Sequence, residues 1–110
     1  FEQLPVLRAL LRDEVFFVRA HAARAVGELG SQALAAEVAR LLGDENWWTR
    51  AAAKESLLAL GPVGLEAARA MADDEDRFAR DGAAEIVDAF ERKVGRRRRT
   101  TIGLAQGVVR

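Results

Sequence analysis

The chain has 110 residues, of which half are hydrophobic, with 17 basic and 17 acidic side chains and no cysteine. The missing cysteine excludes a disulfide framework and any thiolate metal site, and the length is that of one small domain. No apolar run approaches the roughly 18 residues that a membrane-spanning helix needs. No segment alternates with the period of two that is typical of a sheet, so we expect an all-α protein.

A seven-residue segment that begins with Asp-Glu and ends with Arg occurs three times, at 13–19, 44–50 and 74–80. A fixed period of this size is the signature of stacked repeats, in which each unit packs mainly against its neighbours. The pattern predicts an all-α solenoid of about three stacked helical hairpins, with units at about 3–30, 31–61 and 62–92. The repeated residues are Asp13, Asp44 and Asp74 at the first position and Arg19, Arg50 and Arg80 at the last, spaced by 31 and then 30 residues.

Each unit contains two helices, A and B, joined by the Asp-Glu turn. Apolar residues at helical spacing predict helix A at about 3–12, 32–42 and 63–72, and helix B at about 15–29, 46–60 and 76–92. We expect the Asp of each turn to accept orphan backbone N–H groups at the start of helix B, and Gly30 and Gly61 to end the first two B helices. The expected core stripe of the first helix B consists of Val18, Ala22, Ala25, Val26 and Leu29.

The Asp-x5-Arg spacing, followed by small residues, Val or Leu and a terminal Leu-Gly, resembles the short bacterial form of the HEAT repeat. The resemblance covers residues 4–92, although the third unit has Gly82 inside helix B and no terminal glycine. It implies a right-handed stack with helix B on the concave side. In that family the repeated Asp and Arg form a ladder between units, which implies architectural roles for Asp13, Arg19, Asp44, Arg50, Asp74 and Arg80.

Two stretches narrow this resemblance. Residues 47–50 and 76–81 are similar to the W-W-V-R and D-R-Y/F-A-R-D sequences of a subgroup of bacterial HEAT proteins. That subgroup resemblance implies a cytoplasmic location, as the soluble domain of a membrane-attached protein, and a role as adaptor for a membrane assembly.

Aromatic side chains hold equivalent positions beside the expected core stripe. Phe17, Trp48 and Phe78 each precede the first stripe residue by one position, and Phe16 and Trp47 precede two of them. Stacking places equivalent positions about 10 Å apart, so these side chains form a line suited to anchoring a partner. The alternative is that they fill gaps between units, and we expect one member of each pair in the core and the other exposed.

Helical spacing continues this surface along one face of helix B, which is small and mixed in charge and suits an extended partner segment. The predicted partner-binding residues are Phe17, Trp48, Phe78, His21, Arg24, Glu55, Arg77 and Glu85. We expect no catalytic residue, cofactor or metal, since His21 is the single histidine and no nucleophile–base pair is visible. The acidic run at 73–76 lacks the alternating ligands of a calcium loop.

Charge is divided unevenly along the chain. Residues 1–91 carry all 17 acidic residues and ten basic ones, whereas residues 92–110 carry seven basic residues and no acid. We expect Gly95 to stop the last helix and residues 93–110 to form a basic tail outside the repeat domain, residues 1–92. The tail contacts are assigned to Arg96, Arg97, Arg98 and Arg99, which suit nucleic-acid phosphates, an anionic membrane surface or an acidic protein groove.

These observations order three functions. The leading one is a non-catalytic scaffold for a protein partner, with self-association through the tail as one mode, because the acidic body attracts a basic arm. Apolar Leu4 and Leu7 near the start also predict further repeats or association of copies. The second is nucleic-acid or anionic-surface binding through the tail, and the acidic body argues against nucleic acid. The third is an enzyme, which depends on the likeness of short HEAT repeats to bilin-lyase relatives.

Overall fold

The computed structural model describes the backbone of residues 3–109 and the side chains of residues 3–95. Residues 3–109 form an all-helical fold without a strand, so the all-α prediction is confirmed. The helices are α1 (Gln3–Leu10), α2 (Phe16–Leu29), α3 (Ala35–Arg40), α4 (Trp47–Ala59), α5 (Pro62–Arg69) and α6 (Arg77–Val109), and 3₁₀ turns at Gln32–Leu34 and Leu41–Gly43 flank α3. Their order and packing are consistent with an α-solenoid.

The core lies between consecutive helices and consists mainly of Ala, Leu and Val. Val26, Leu57 and Ile86, one from each long helix, are at most 1 % exposed. One residue of the expected core stripe is wrong, because Leu29 is 57 % exposed. It lies with Val6 and Leu7 in a shallow apolar groove at the α1 end of the stack, where the described residues supply no further helix to cover it.

Helices α2 and α4 pack closely because small residues face each other where they meet. A Cβ added at Gly27 would lie only 2.9 Å from the Cα of Ser56. The residues that correspond to Gly27 and Ser56 in the next pair of helices are the larger Leu58 and Ile86. Helices α4 and α6 accordingly make much less contact than α2 and α4, and an open groove lined by Leu58, Ile86 and other residues lies between them.

The repeated Asp residues close the turns that precede the long helices. The bonds are Val15 N to Asp13 Oδ1 (2.8 Å), Asn46 N to Asp44 Oδ2 (2.9 Å) and Asp76 N to Asp74 Oδ2 (3.0 Å). The expected capping role is therefore displaced, since the helices begin three residues after each Asp. Asn46 caps α4 by accepting from the N–H groups of Trp48 and Thr49, and Asp76 accepts from Ala79 N at the start of α6.

The helix ends agree with the predictions in part. Gly30 adopts the left-handed conformation that ends α2, with φ 67° and ψ 33°. The predicted stop at Gly95 is wrong, since α6 continues through it to Val109 and positive φ among the described glycines is confined to Gly30 and Gly61. One interior glycine costs a helix only about 1 kcal/mol relative to alanine, and the Arg and Lys around it favour helix. None of the helices described has both the length and the apolar character needed to cross a membrane.

Candidate partner-binding edge

The three turns and the helix starts that follow them, residues 13–19, 44–50 and 74–80, are called the turn edge below. The repeated arginine folds back in each of them onto backbone carbonyls of its own turn. The bonds are Arg19 Nη1 to Asp13 O (2.7 Å), Arg50 Nη1 to Asp44 O (2.8 Å) and Arg80 Nη1 to Asp74 O (2.7 Å). These arginines hold the turns in shape, and each uses only part of its guanidinium to do so.

Arg19 also binds the next turn. Its Nε lies 2.8 Å from Asp44 Oδ1 and its Nη2 lies 3.1 Å from Asp44 Oδ2, and the two side chains are only 10 % and 8 % exposed. The hydrogen bond with Asp44 raises the pKa of Arg19 above its ordinary value, although burial acts in the opposite direction. The guanidinium is therefore permanently charged, and this pair joins the first turn to the second.

Arg50 behaves differently at the next junction. Within residues 3–95, no hydrogen bond or ion pair joins Arg50 to Asp74, so the expected ladder is not continued there. The Cζ of Arg50 instead lies 4.0 Å from the centre of the Phe78 ring. A guanidinium over an aromatic face is attracted by the negative charge of the ring surface, which gives this arginine an alternative partner to a carboxylate.

The aromatic residues do not form the single line that the period predicts. Trp48 is half-buried against the core, and its ring lies 6.0 Å from that of Phe16 and 5.5 Å from that of His21. Phe17 and Phe78 are 48 % and 52 % exposed. Trp48 is drawn inward because its neighbour Thr49 is fully buried and donates through Oγ1 to the Phe16 carbonyl.

Exposure within each aromatic pair agrees with the prediction in one unit. In the second unit Trp47 is 70 % exposed while Trp48 is half-buried. In the first unit the expectation is wrong, since Phe16 as well as Phe17 is exposed and the two rings meet edge to face at 5.7 Å. The residues that sequence reasoning left out of the site are Phe16, Trp47 and Arg50, although their equivalence to Arg77 and Arg80 marked these positions.

The remaining predicted site residues lie exposed on the long helices, where most of them form ion pairs. These pairs are Arg24 with Glu55 (3.8 Å), Lys54 with Glu85 (2.9 Å) and Arg77 with Asp81 (3.6 Å). Exposed ion pairs of this kind contribute little to stability. Because their charges are already matched, this helix face offers a partner fewer free groups than the turn edge does.

The turn edge combines exposed rings with an excess of negative charge. Its three segments hold seven acidic residues and four arginines. Glu14, Glu45 and Glu75 are exposed, and the Glu45 side chain is 91 % accessible. No cluster of potential metal ligands occurs among the side chains the structure describes. The side chains of Arg96, Arg97, Arg98 and Arg99, the predicted tail contacts, lie outside the described residues.

Comparison with known protein families gives one result that bears on this edge. A family model described as HEAT repeats matches residues 4–88, a range that contains all three Asp-x5-Arg segments. A search of curated proteins finds no match.

Proposed function

Because the chain belongs to the HEAT-repeat family, whose members are generally protein-interaction scaffolds, we propose that it is a non-catalytic scaffold that binds a protein partner through the turn edge. The observation that carries the proposal is the exposure of Phe17, Trp47 and Phe78 on one edge of the molecule. Aromatic residues are enriched among interface hot spots, where truncating a central one costs about 2 kcal/mol or more of binding free energy.

The carboxylates around these rings form the rim of the proposed interface. Rim charges steer the approach of a partner and reject partners of like charge, while the buried rings hold the complex together. The helix face with His21, Arg24, Glu55, Arg77 and Glu85 adjoins the turn edge and contacts flanking parts of the partner. In the proposed arrangement the hairpins form a right-handed stack with this face on its concave side.

The proposed setting is the bacterial cytoplasm, where the chain serves as an adaptor for a membrane-associated assembly. This part of the proposal is supported by the likeness of residues 47–50 and 76–81 to one subgroup of HEAT proteins. It is tested by expressing the tagged full chain in its native host and separating membranes from cytosol after mild cross-linking. Recovery of the chain in cytosol alone, without any cross-linked membrane protein, would contradict the adaptor role.

The scaffold itself is tested by replacing Phe17, Trp47 and Phe78 with serine and measuring partner capture and thermal unfolding. The control carries Leu29→Ser, Leu58→Ser and Val94→Ser, which remove the same number of exposed apolar side chains elsewhere. We expect the edge variant to lose capture while both variants keep the native melting temperature. A collapse of stability in the edge variant would show that the rings belong to the core, and unchanged capture would show that the edge binds nothing.

A second candidate function is binding of phosphate-bearing surfaces by residues 92–110. It is favoured by seven basic residues without an acid in this segment. Binding to duplex DNA or to phosphatidylserine vesicles should then weaken steeply with salt and disappear when residues 96–110 are removed. An enzyme of the bilin-lyase kind has no supporting observation in the described side chains, where His21 lies against Trp48 and the Ser56 hydroxyl is buried without a partner.

A further inference from the structure

We propose that the turn edge of one chain binds the basic segment 92–99 of a second copy of the same chain. This inference depends on the proposed function, since it names the occupant of the same surface. The contact joins two different surfaces, one from each copy, and therefore repeats head to tail.

The first argument is charge complementarity. The turn edge holds seven acidic residues against four arginines, and three of those arginines, Arg19, Arg50 and Arg80, are bonded to turn carbonyls. Segment 92–99 holds six basic residues and no acid. Opposite potentials of this kind attract the two surfaces during encounter and fix their register.

The second argument is a contact already present on the turn edge. Arg50 places its guanidinium over the Phe78 ring at 4.0 Å, which shows the binding mode that an arginine adopts on this surface. Trp47 and Phe17 expose their rings in equivalent or adjacent positions, and among the described side chains no arginine or lysine covers them. Trp is the strongest of the aromatic residues in cation–π contacts, and arginine is the cation found most often in them.

The third argument is that a chain cannot bring the segment to its own turn edge. Helix α6 begins at Arg77, on the turn edge, and continues without a break to Val109. With a rise of 1.5 Å per residue, the backbone of residue 96 lies about 29 Å along the helix axis from Arg77. The segment therefore points away from the edge of its own chain, and a neighbouring chain can receive it.

The proposal is tested by sedimentation of the full chain at low and high salt, after nuclease treatment. The edge variant carries Phe17→Ser, Trp47→Ser and Phe78→Ser, and the segment variant carries R96Q, R97Q, R98Q and R99Q. A charge-matched control carries R8Q, R12Q, R40Q and R69Q, which lie outside both surfaces. We expect the native chain and the control to associate at low salt, with a mass that rises with concentration, and each of the other variants to associate at least tenfold more weakly.

Mixing the edge variant with the segment variant gives the decisive result. Each variant keeps one intact surface, so an equal mixture should form a heterodimer and nothing larger. A monomeric native chain at low salt, a segment variant that associates like the native chain, or a mixture without heterodimer would each overturn the proposal.

Partner capture by the same variants separates this inference from the proposed function. If the segment variant is monomeric like the native chain, and only the edge variant loses capture of a foreign protein, the scaffold function stands and the second copy is excluded as occupant. If the edge variant captures that protein as well as the native chain does, the proposed function itself is wrong, whatever the sedimentation shows.

Discussion

Arg19 and Asp44 form a buried bidentate ion pair across the first junction between turns, with bonds of 2.8 Å and 3.1 Å. The corresponding pair at the second junction, Arg50 and Asp74, is not joined in the part of the chain that the structure describes, and Arg50 lies over Phe78 instead. Two junctions with the same sequence pattern are therefore built differently. Equivalent substitutions at the two junctions should have unequal effects on stability.

Replacing Asp44 with alanine should cost far more stability than replacing Asp74. Asp44→Ala leaves the Arg19 guanidinium buried without its carboxylate, which costs about 3–5 kcal/mol. Asp74→Ala removes the matching turn bond alone, a loss of about 1 kcal/mol. The free energy of unfolding in urea, followed by far-UV circular dichroism, measures both. Equal losses would mean that the ion pair adds nothing to the junction.

Replacing Gly27 with alanine should force α2 and α4 apart. The new Cβ would lie 2.9 Å from the Cα of Ser56, and a backbone atom cannot move aside as a flexible side chain does. We expect a loss of about 1–3 kcal/mol, the usual cost of overpacking a core. Urea unfolding measures it, and a gain in stability, as expected for alanine in an open helix, would contradict the close approach of the two helices.

Replacing Gly95 with alanine tests whether α6 continues beyond the repeats. No atom lies within 4 Å of a Cβ added there, so the substitution meets no steric resistance. In a continuous helix it should stabilise by about 0.5–1 kcal/mol and raise the helical signal. A left-handed Gly95 that ended the helix would give the opposite result, with lower helicity in the alanine variant.

The starts of the long helices offer a reciprocal pair of capping substitutions. Asn46→Ala removes the side chain that accepts from two N–H groups at the start of α4, and should cost about 1 kcal/mol. Val15 occupies the same position before α2 and makes no such bond, so Val15→Asn should add a cap and recover a similar amount. Thermal unfolding should show shifts of opposite sign, and shifts of the same sign would contradict the assigned caps.

Tryptophan fluorescence should distinguish Trp47 from Trp48. A Trp48→Phe variant retains the indole that is 70 % exposed, and its emission should be red-shifted and strongly quenched by acrylamide. A Trp47→Phe variant retains the half-buried indole, which should emit at shorter wavelength and be protected. Equal quenching of the two variants would place both rings in the same environment and remove Trp47 from the proposed interface.

The predictions that depend on local spacing agree best with the structure. The starts of α2, α4 and α6 fall within one residue of the predicted positions, because Asp-Glu turns and apolar periodicity act over a few residues. Gly95 shows the limit of such reasoning, since a glycine signal is weak when the residues around it favour helix. The partner-binding assignments remain predictions, and the structure moves their centre from Trp48 to the more exposed Trp47.

The period, the helical class and the family-defining spacing of Asp and Arg are properties of the sequence alone, because each depends on residue types at fixed separations. Only the tertiary structure decided that Arg19 reaches Asp44 while Arg50 turns to Phe78, that Trp48 is partly buried while Phe17 and Trp47 are exposed, and that Leu29 lacks cover. Equivalent positions in a repeat share a backbone environment. Their side chains, however, pack against different neighbours, and those neighbours determine which groups are buried and which remain available to a partner.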